Sequence, residues 1–170
     1  MEIDRIFITY SVNKLRQLEG RIYDCVARLT PEQIWSRDAE AQNAVGNLML
    51  HLSGNVTQWI VSSIGGAEDK RDRDAEFNAR EGFSAAELKH HVQSAMDLAI
   101  PVIENVTAQR LTETIHVQNY DVTVLEAIYH VVEHFAEHTA QIIYATKLFT
   151  KRELEYYTHL KTPKHKETTP

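Results

Sequence analysis

The 170-residue sequence has little of several things that define protein classes. Its single cysteine, Cys25, excludes an internal disulfide and is compatible with a reducing cytosol. No stretch approaches the ~18 apolar residues of a membrane span, and residues 1–5 lack the basic start and apolar run of a signal peptide. We therefore expect a soluble, cytoplasmic protein with no membrane partner.

Basic residues are also too few for a dedicated nucleic-acid binder. Eighteen Lys and Arg against 24 Asp and Glu give a net charge of −6, the wrong sign for a polyanionic partner. Hydrophobic residues make up 43% and charged residues 25%, which is average for a folded globular protein. The length fits a single domain, expected at 1–160, followed by a frayed Lys-, Thr- and Pro-rich tail at 161–170.

Six glycines and four prolines separate long intervals with a 3.6-residue apolar period, which is typical of an all-α protein. Capping-box patterns begin at Thr30, Ser84 and Thr123, the first opening a short helix. The mixed-charge run 68–81 predicts a solvated loop, long enough to cross between the second and third long helices. A β-branched segment at 112–123 predicts a short hairpin or extended loop. We expect a four-helix bundle, with long helices near four ranges: 2–29, 44–64, 84–106 and 123–149.

Three histidines lie four residues apart on the fourth long helix: His130, His134 and His138. This spacing places them in a slanted stripe on one face, at the margin of the apolar arc. Neighbouring members of the stripe can share a metal ion, whereas the outer two are too far apart. The spacing leaves both neighbouring pairs open, and ordinary packing histidines at the edge of a core are an equally good interpretation.

The second long helix is apolar nearly all round, except for one narrow polar line. That line contains Asn47, His51, Asn55, Gln58 and Ser62. Because an unpaired buried polar group costs ~1–3 kcal/mol, the line predicts a wet internal cavity. If it faces the stripe on the fourth helix, His51 and one histidine pair supply three imidazoles. Three nitrogen ligands with one open position are typical of a catalytic Zn²⁺ site.

Two segments of the sequence resemble the DinB-like superfamily of four-helix metal proteins, within a branch of uncharacterised bacterial proteins of unknown function. They are VGNLMLHLSGN at 45–55, followed by Trp59, and HVVEHFAEHTAQI at 130–142. The superfamily's motif is a histidine on the second helix and His-x3-His followed by glutamine on the fourth. It falls on His51, His134, His138 and Gln141. The resemblance thus implies these three histidines as the metal ligands. Ala140 stands where many relatives have glycine.

The resemblance also implies a bundle with a long crossover, one divalent ion per chain (Zn or Ni) and a homodimer. Characterised relatives include transferases and isomerases that use low-molecular-weight thiols such as bacillithiol, mycothiol or glutathione. We therefore expect a metal-dependent enzyme that transfers a thiol to a small electrophile or activates water. Five residues would then orient imidazoles and substrate, or hydrogen-bond to one another in a polar seam: Asn47, Asn55, Gln58, His130 and Gln141.

Other functions use the same residues. The string H-x-x-E-H, present twice, is also the signature of inverted zinc peptidases, with Glu133 or Glu137 as base. Both glutamates fall on the polar side of the helix, which argues against it. A di-iron site needs two Glu-x-x-His pairs, and only Glu87 with His90 forms one on a clear helix. A non-catalytic bundle that binds a metal or senses a small molecule is also compatible with the sequence.

Overall fold

The computed structural model describes residues 2–161, 166 and 169. Within them the chain is mostly helical, as predicted, and also contains short 3₁₀ turns at Arg110–Thr112 and Thr158–Lys161. Most of the predicted frayed tail lies outside the described residues. The α-helices, in chain order, are α1 (Ile3–Val26), α2 (Pro31–Trp35), α3 (Val45–Val56), α4 (Arg73–Asn78), α5 (Ala85–Glu104) and α6 (Val124–Thr150).

Reciprocal capping boxes fix where α2, α5 and α6 begin, as the sequence predicts. Before α6, the Glu126 amide donates to the Thr123 hydroxyl at 3.2 Å, and the Thr123 amide donates back to the Glu126 carboxylate at 2.7 Å. Thr30 caps α2 and Ser84 caps α5 in the same way. Each box satisfies amides at the helix start that have no partner within the helix.

The second long helix is not uniformly α-helical. After Val56, α3 continues as a π-helical segment, Thr57–Ser62. There the amide of Ser63 donates to the carbonyl of Gln58 at 3.0 Å, five residues back. This wider turn changes the angular register of the residues that follow it. The polar line was predicted from a constant α-helical period, which does not continue beyond Val56.

The predicted hairpin is present before α6. Strand β1 (Thr114–Val117) pairs antiparallel with β2 (Tyr120–Thr123). The turn residues Gln118 and Asn119 have φ values of 50° and 65°. Positive φ at both positions suits a two-residue turn whose twist matches the strands. The corner of the hairpin therefore lies at Gln118 and Asn119.

The apolar faces of the four long helices pack together. Helix α1 contacts α5 and α6, and α3 contacts the same two helices. Leu15, Leu52 and Val131 are completely buried where they meet. Cys25 is also fully buried, and burial raises the pKa of its thiol, so it serves as a small core side chain. No helix in the described part of the chain is long and apolar enough to cross a membrane.

The prediction of a fully solvated loop at 68–81 is wrong. The segment contains α4, and Glu76 is only 8% exposed. The Arg71 side chain is 4% exposed and forms an ion pair with that carboxylate. A solvated loop would expose every charge in the run to water. Two of these charges instead neutralise each other, which allows both to be buried against α3.

Gly46 and Gly20 form a matched pair for testing the packing of α2 on α3. A Cβ at Gly46 would lie 2.7 Å from Cη2 of Trp35, whereas a Cβ at Gly20 would meet nothing within 4 Å. We expect Gly46→Ala to lower the free energy of unfolding by about 1–3 kcal/mol because Trp35 must move. Gly20→Ala should raise it by up to about 1 kcal/mol. Urea denaturation measures both, and a Gly46→Ala protein of unchanged stability would contradict this packing.

Candidate metal centre

Three histidines from two helices converge in the structure. His51 of α3 and His134 and His138 of α6 place ring nitrogens within 4.8 Å of one another. The Nε2 atoms of His51 and His134 are 2.8 Å apart. The ring centroid of His138 lies 5.0 Å from that of His51 and 4.4 Å from that of His134. Of the two pairs left open by spacing, the structure thus groups His134 and His138 with His51.

Helix packing explains the position of the cluster. The apolar arcs of α3 and α6 face the core, so polar residues at the margins of those arcs meet where the helices contact. His51 is 4% exposed, while His134 and His138 are half-buried, as expected for a stripe at the core margin. The centre therefore has a buried side on α3 and a more accessible side on α6.

The crossover segment supplies partners for His51. Its Nδ1 lies 2.9 Å from Oε2 of Glu76 and 3.0 Å from Nη2 of Arg71. Arg71 already donates to both carboxylate oxygens of Glu76, from Nε at 2.7 Å and from Nη2 at 2.8 Å. We therefore assign the hydrogen to Nδ1 of His51, donated to Glu76. That assignment leaves the Nε2 lone pair directed at the other two histidines.

His138 is oriented in the same way by a different residue. Its Nδ1 donates to Oε1 of Gln141 at 2.8 Å, one turn further along α6. An amide oxygen only accepts, so it selects the tautomer with a hydrogen on Nδ1 and a lone pair on Nε2. Metal-binding histidines commonly show this pattern, with the distal ring nitrogen bonded to a carboxylate or carbonyl.

His130, the third member of the stripe, lies outside the cluster. Its ring stacks on that of His134, with centroids 5.4 Å apart and planes at 21°. The centroid of the Trp59 ring lies 4.1 Å from that of His130. Burial lowers the pKa of His130. The side chain is thus placed to support the ring of His134.

The other residues predicted to line the pocket occupy different places. Asn47 accepts from Arg37 at 2.5 Å and donates to the carbonyls of Glu76 and Ala79 at 2.9 and 2.8 Å, so it attaches α4 to α3. Gln58 accepts from Nη1 of Arg71 at 2.9 Å. The side chain of Arg71 therefore lies between Gln58 and His51. Neither is part of the histidine cluster.

Asn55 has a buried side-chain oxygen that lacks a hydrogen-bond partner among the described residues. The side chain is 4% exposed, and the oxygen is Oδ1. The Nε1 of Trp59, four residues later, is also buried without a partner. Such orphaned groups are rare and mark places where water or a ligand belongs. They agree with a wet seam along this part of α3.

The sequence did not predict three residues that surround His51: Glu76, Arg71 and Phe77. The ring centroid of Phe77 lies 4.6 Å from that of His51. One signal was present. Gly54 lies in the middle of a buried helix, which often indicates a close approach by another group. A Cβ there would come within 1.9 Å of Oε1 of Glu76. The glycine therefore makes room for the carboxylate that orients His51.

The electrostatics of the site favour neutral imidazoles and an ionised carboxylate. Burial, followed by the nearby positive groups, lowers the pKa of His134 to about 3, and burial also lowers the pKa of His138. Burial by itself would raise the pKa of Glu76. The hydrogen bonds from Arg71 and His51 outweigh this effect, and the Glu76 pKa lies below its usual value. Neutral imidazoles are the form that binds a metal ion.

These shifts predict how stability depends on pH without metal. The unfolded chain takes up a proton at His134 near pH 6.5, whereas the folded protein takes it up only near pH 3. Between these values the unfolded state binds more protons, so the free energy of unfolding falls as pH falls. Urea denaturation with a chelator should show a loss of up to about 2 kcal/mol from this group between pH 6.5 and pH 5. Equal or greater stability at pH 5 would contradict the pKa of His134.

The alternative chemistries lack support in the described residues. Glu133 and Glu137 are exposed and are not part of the histidine cluster, which argues against a peptidase base. The Glu87 carboxylate caps α5 by accepting from the amide of Ser84 at 2.8 Å, and His90 is exposed and lies outside the cluster. A di-iron site would need a second carboxylate–histidine pair beside Glu87 and His90. Among the described residues, the side chains placed to share a metal ion include neither of these two. The donor set that the structure assembles is three imidazole nitrogens, which suits zinc, nickel, copper or iron.

The fold and the site define a class: a mostly helical protein with three histidines converging between two of its helices. Two solved structures share the fold. One is a conserved protein from Enterococcus faecalis, with a TM-score of 0.70, 15% identity, and coverage of 89% of this chain and 99% of that one. The other is a DinB-like protein (YjoA) from Bacillus subtilis, with a TM-score of 0.65, 14% identity, and coverage of 86% and 96%.

The chain belongs to the family described as "Protein of unknown function (DUF1572)", which matches residues 2–166. The resemblance to DinB-like proteins is confirmed at the level of the fold by the Bacillus subtilis structure, and the family match fits the predicted branch of proteins of unknown function. A comparison with curated proteins found no match.

Proposed function

We propose that the protein is a metal-dependent enzyme in which His51, His134 and His138 hold one divalent ion, Zn or Ni. One observation carries this proposal. Nitrogen atoms of three imidazoles meet within 4.8 Å, and two of the rings have their distal nitrogens bonded to acceptors, Glu76 and Gln141. A group of packing histidines does not require two of its rings to have their distal nitrogens bonded to acceptors.

The charge of the site supports an anionic partner. The imidazoles are neutral when they bind metal, and the carboxylate of Glu76 is balanced by the guanidinium of Arg71. These protein groups therefore leave the charge of a divalent ion uncompensated. A thiolate, a hydroxide or a carboxylate group of a substrate would complete the balance.

The residues around the ligands have separate tasks. When bound, a divalent ion supplies Lewis acidity, which lowers the pKa of water or a thiol. Glu76 orients His51, and Gln141 orients His138. His130 stacks on His134 and is itself packed on Trp59. Phe77 of α4 packs its ring against that of His51.

The proposed reaction is the transfer of a low-molecular-weight thiol to a small electrophile, or hydrolysis by activated water.

We further infer that the four long helices form a four-helix bundle with the crossover 63–84 between α3 and α5. A cytoplasmic homodimer completes the proposal. The pairing of α1 and α3 with both α5 and α6 supports the bundle.

Metal analysis followed by activity assays tests this function. Protein purified without chelator should contain about one zinc or nickel per chain. The loaded protein is then incubated with 1-chloro-2,4-dinitrobenzene and glutathione, bacillithiol or mycothiol, and separately with a nitrophenyl ester. Turnover that depends on a thiol supports transfer, and ester cleavage without thiol supports water activation.

Two results would overturn the proposal at different points. Well below one ion per chain, with no uptake on adding zinc or nickel, would remove the metal centre. Stoichiometric metal with no turnover of any of these substrates would leave a metal-binding or sensing protein and remove the enzyme. Metal content and turnover are measured on the same preparation, so the two results are distinguishable.

A further inference from the structure

A groove of about 840 Å³ runs beside the second half of α6. One wall is formed by residues 140–149 of α6 and by Lys151, and the other by the segment 36–48, which includes the start of α3. We call it the α6 groove. Its volume lies within the roughly 300–1,000 Å³ of small-molecule sites.

The walls of the α6 groove are largely apolar. Leu48, Tyr144 and Leu148 line it. Tyr144 is 67% exposed and Leu148 is 48% exposed, one turn apart on the same face of α6. Large apolar side chains exposed within a concave surface are typical of a ligand site. Polar groups, Asp38 and Lys151 among them, also line it.

Both walls lead to the candidate metal centre. Leu48 lies three residues before His51 on α3, and Gln141 lies three residues after His138 on α6. Three residues correspond to a rise of about 4.5 Å along a helix. Gln141 lines the groove and also accepts the hydrogen bond from Nδ1 of His138 at 2.8 Å. The α6 groove therefore ends one helical turn from two of the three histidines.

We propose that the α6 groove binds an apolar small molecule with an oxygen acceptor, which serves as the second substrate of the site. The apolar body lies against Leu48, Tyr144 and Leu148. The oxygen faces Gln141, whose Oε1 is engaged by His138 and whose Nε2 is left to donate. The role as second substrate rests on the proposed function, whereas binding in the groove does not. A second copy would need an extended surface of roughly 800 Å² per partner rather than a concavity of this size.

Fluorescence titration with 1-anilinonaphthalene-8-sulfonate tests the groove, because this probe has apolar rings and sulfonate oxygens. It is added to the full chain with and without zinc. We expect one probe molecule per chain in both states. Leu148→Glu should weaken binding by about tenfold or more, because it places a charge against the apolar rings. Leu125→Glu, on the same helix at 40% exposure and outside the groove, should change it less than about twofold.

A second matched pair keeps the test valid if Leu148→Glu fails to fold. Tyr144→Ala removes a wall of the groove, whereas Tyr129→Ala removes a tyrosine of 58% exposure elsewhere on α6. Equal effects within a pair, several probe molecules per chain or no binding would each overturn the proposal. So would a dimer that excludes the probe and that Leu148→Glu dissociates, because a second copy then covers the groove. Probe binding at one per chain to a protein that takes up no metal would support the groove while removing the proposed function.

Discussion

Replacing His51 by alanine should reduce bound zinc or nickel from about one ion per chain to a trace. This residue is the one member of the cluster on α3, and His134 and His138 cannot replace its nitrogen. The loss of affinity should exceed the roughly 10- to 100-fold that follows removal of an outer-shell partner. Competition with a chromophoric zinc chelator measures the affinity, and circular dichroism confirms that the variant folds.

The matched control for this variant is His116→Ala. His116 is exposed on the hairpin and pairs with Asp121 at 2.8 Å, outside the cluster. It should leave metal content unchanged. If His51→Ala and His116→Ala bind metal equally well, the ion is held elsewhere, and the proposed centre is wrong.

Glu76→Gln should weaken metal binding by roughly 10- to 100-fold and destabilise the metal-free protein by about 3 kcal/mol. The carboxylate accepts from Arg71 with both oxygens and from His51 with Oε2. An amide has only one oxygen, so its NH₂ must face one of these donors. The guanidinium of Arg71 is then buried without a counterion. Urea denaturation and zinc competition measure the two effects.

Glu68→Gln is the control within the same segment. Glu68 pairs with Lys70 at 3.0 Å, but both side chains are 76% exposed. A surface pair of this kind contributes little, so metal affinity should not change, and stability should change by less than about 0.5 kcal/mol. If Glu76→Gln has effects as small as those of Glu68→Gln, Glu76 does not orient His51.

The local features of the fold were readable from the sequence. Capping boxes at Thr30, Ser84 and Thr123 require only residues three apart, and a helical apolar period repeats within a few turns. The hairpin before α6 follows from the β-branched residues that form its strands. The π-helical segment after Val56 was not readable, because its hydrogen bonds depend on how α3 packs rather than on residue type.

The candidate site also combines features that the sequence predicts with features that depend on tertiary packing. The sequence determined that histidines at i, i+4 on α6 share a face, and the resemblance to DinB-like proteins selected His134 and His138 with His51. Which side of each helix meets the other is a property of packing, and only the tertiary structure places these three rings together and leaves His130 on Trp59.

The tertiary structure alone decided the surroundings of His51. Arg71 and Glu76 lie 20 and 25 residues away from it, in a run of charges whose pattern is that of a solvated loop. A sequence shows the sign of each charge but not its distance from an opposite charge. Burial of these two residues depends on that distance, since their opposite charges stabilise each other away from water. The charged crossover therefore holds Glu76, a buried partner of His51 in the candidate metal centre.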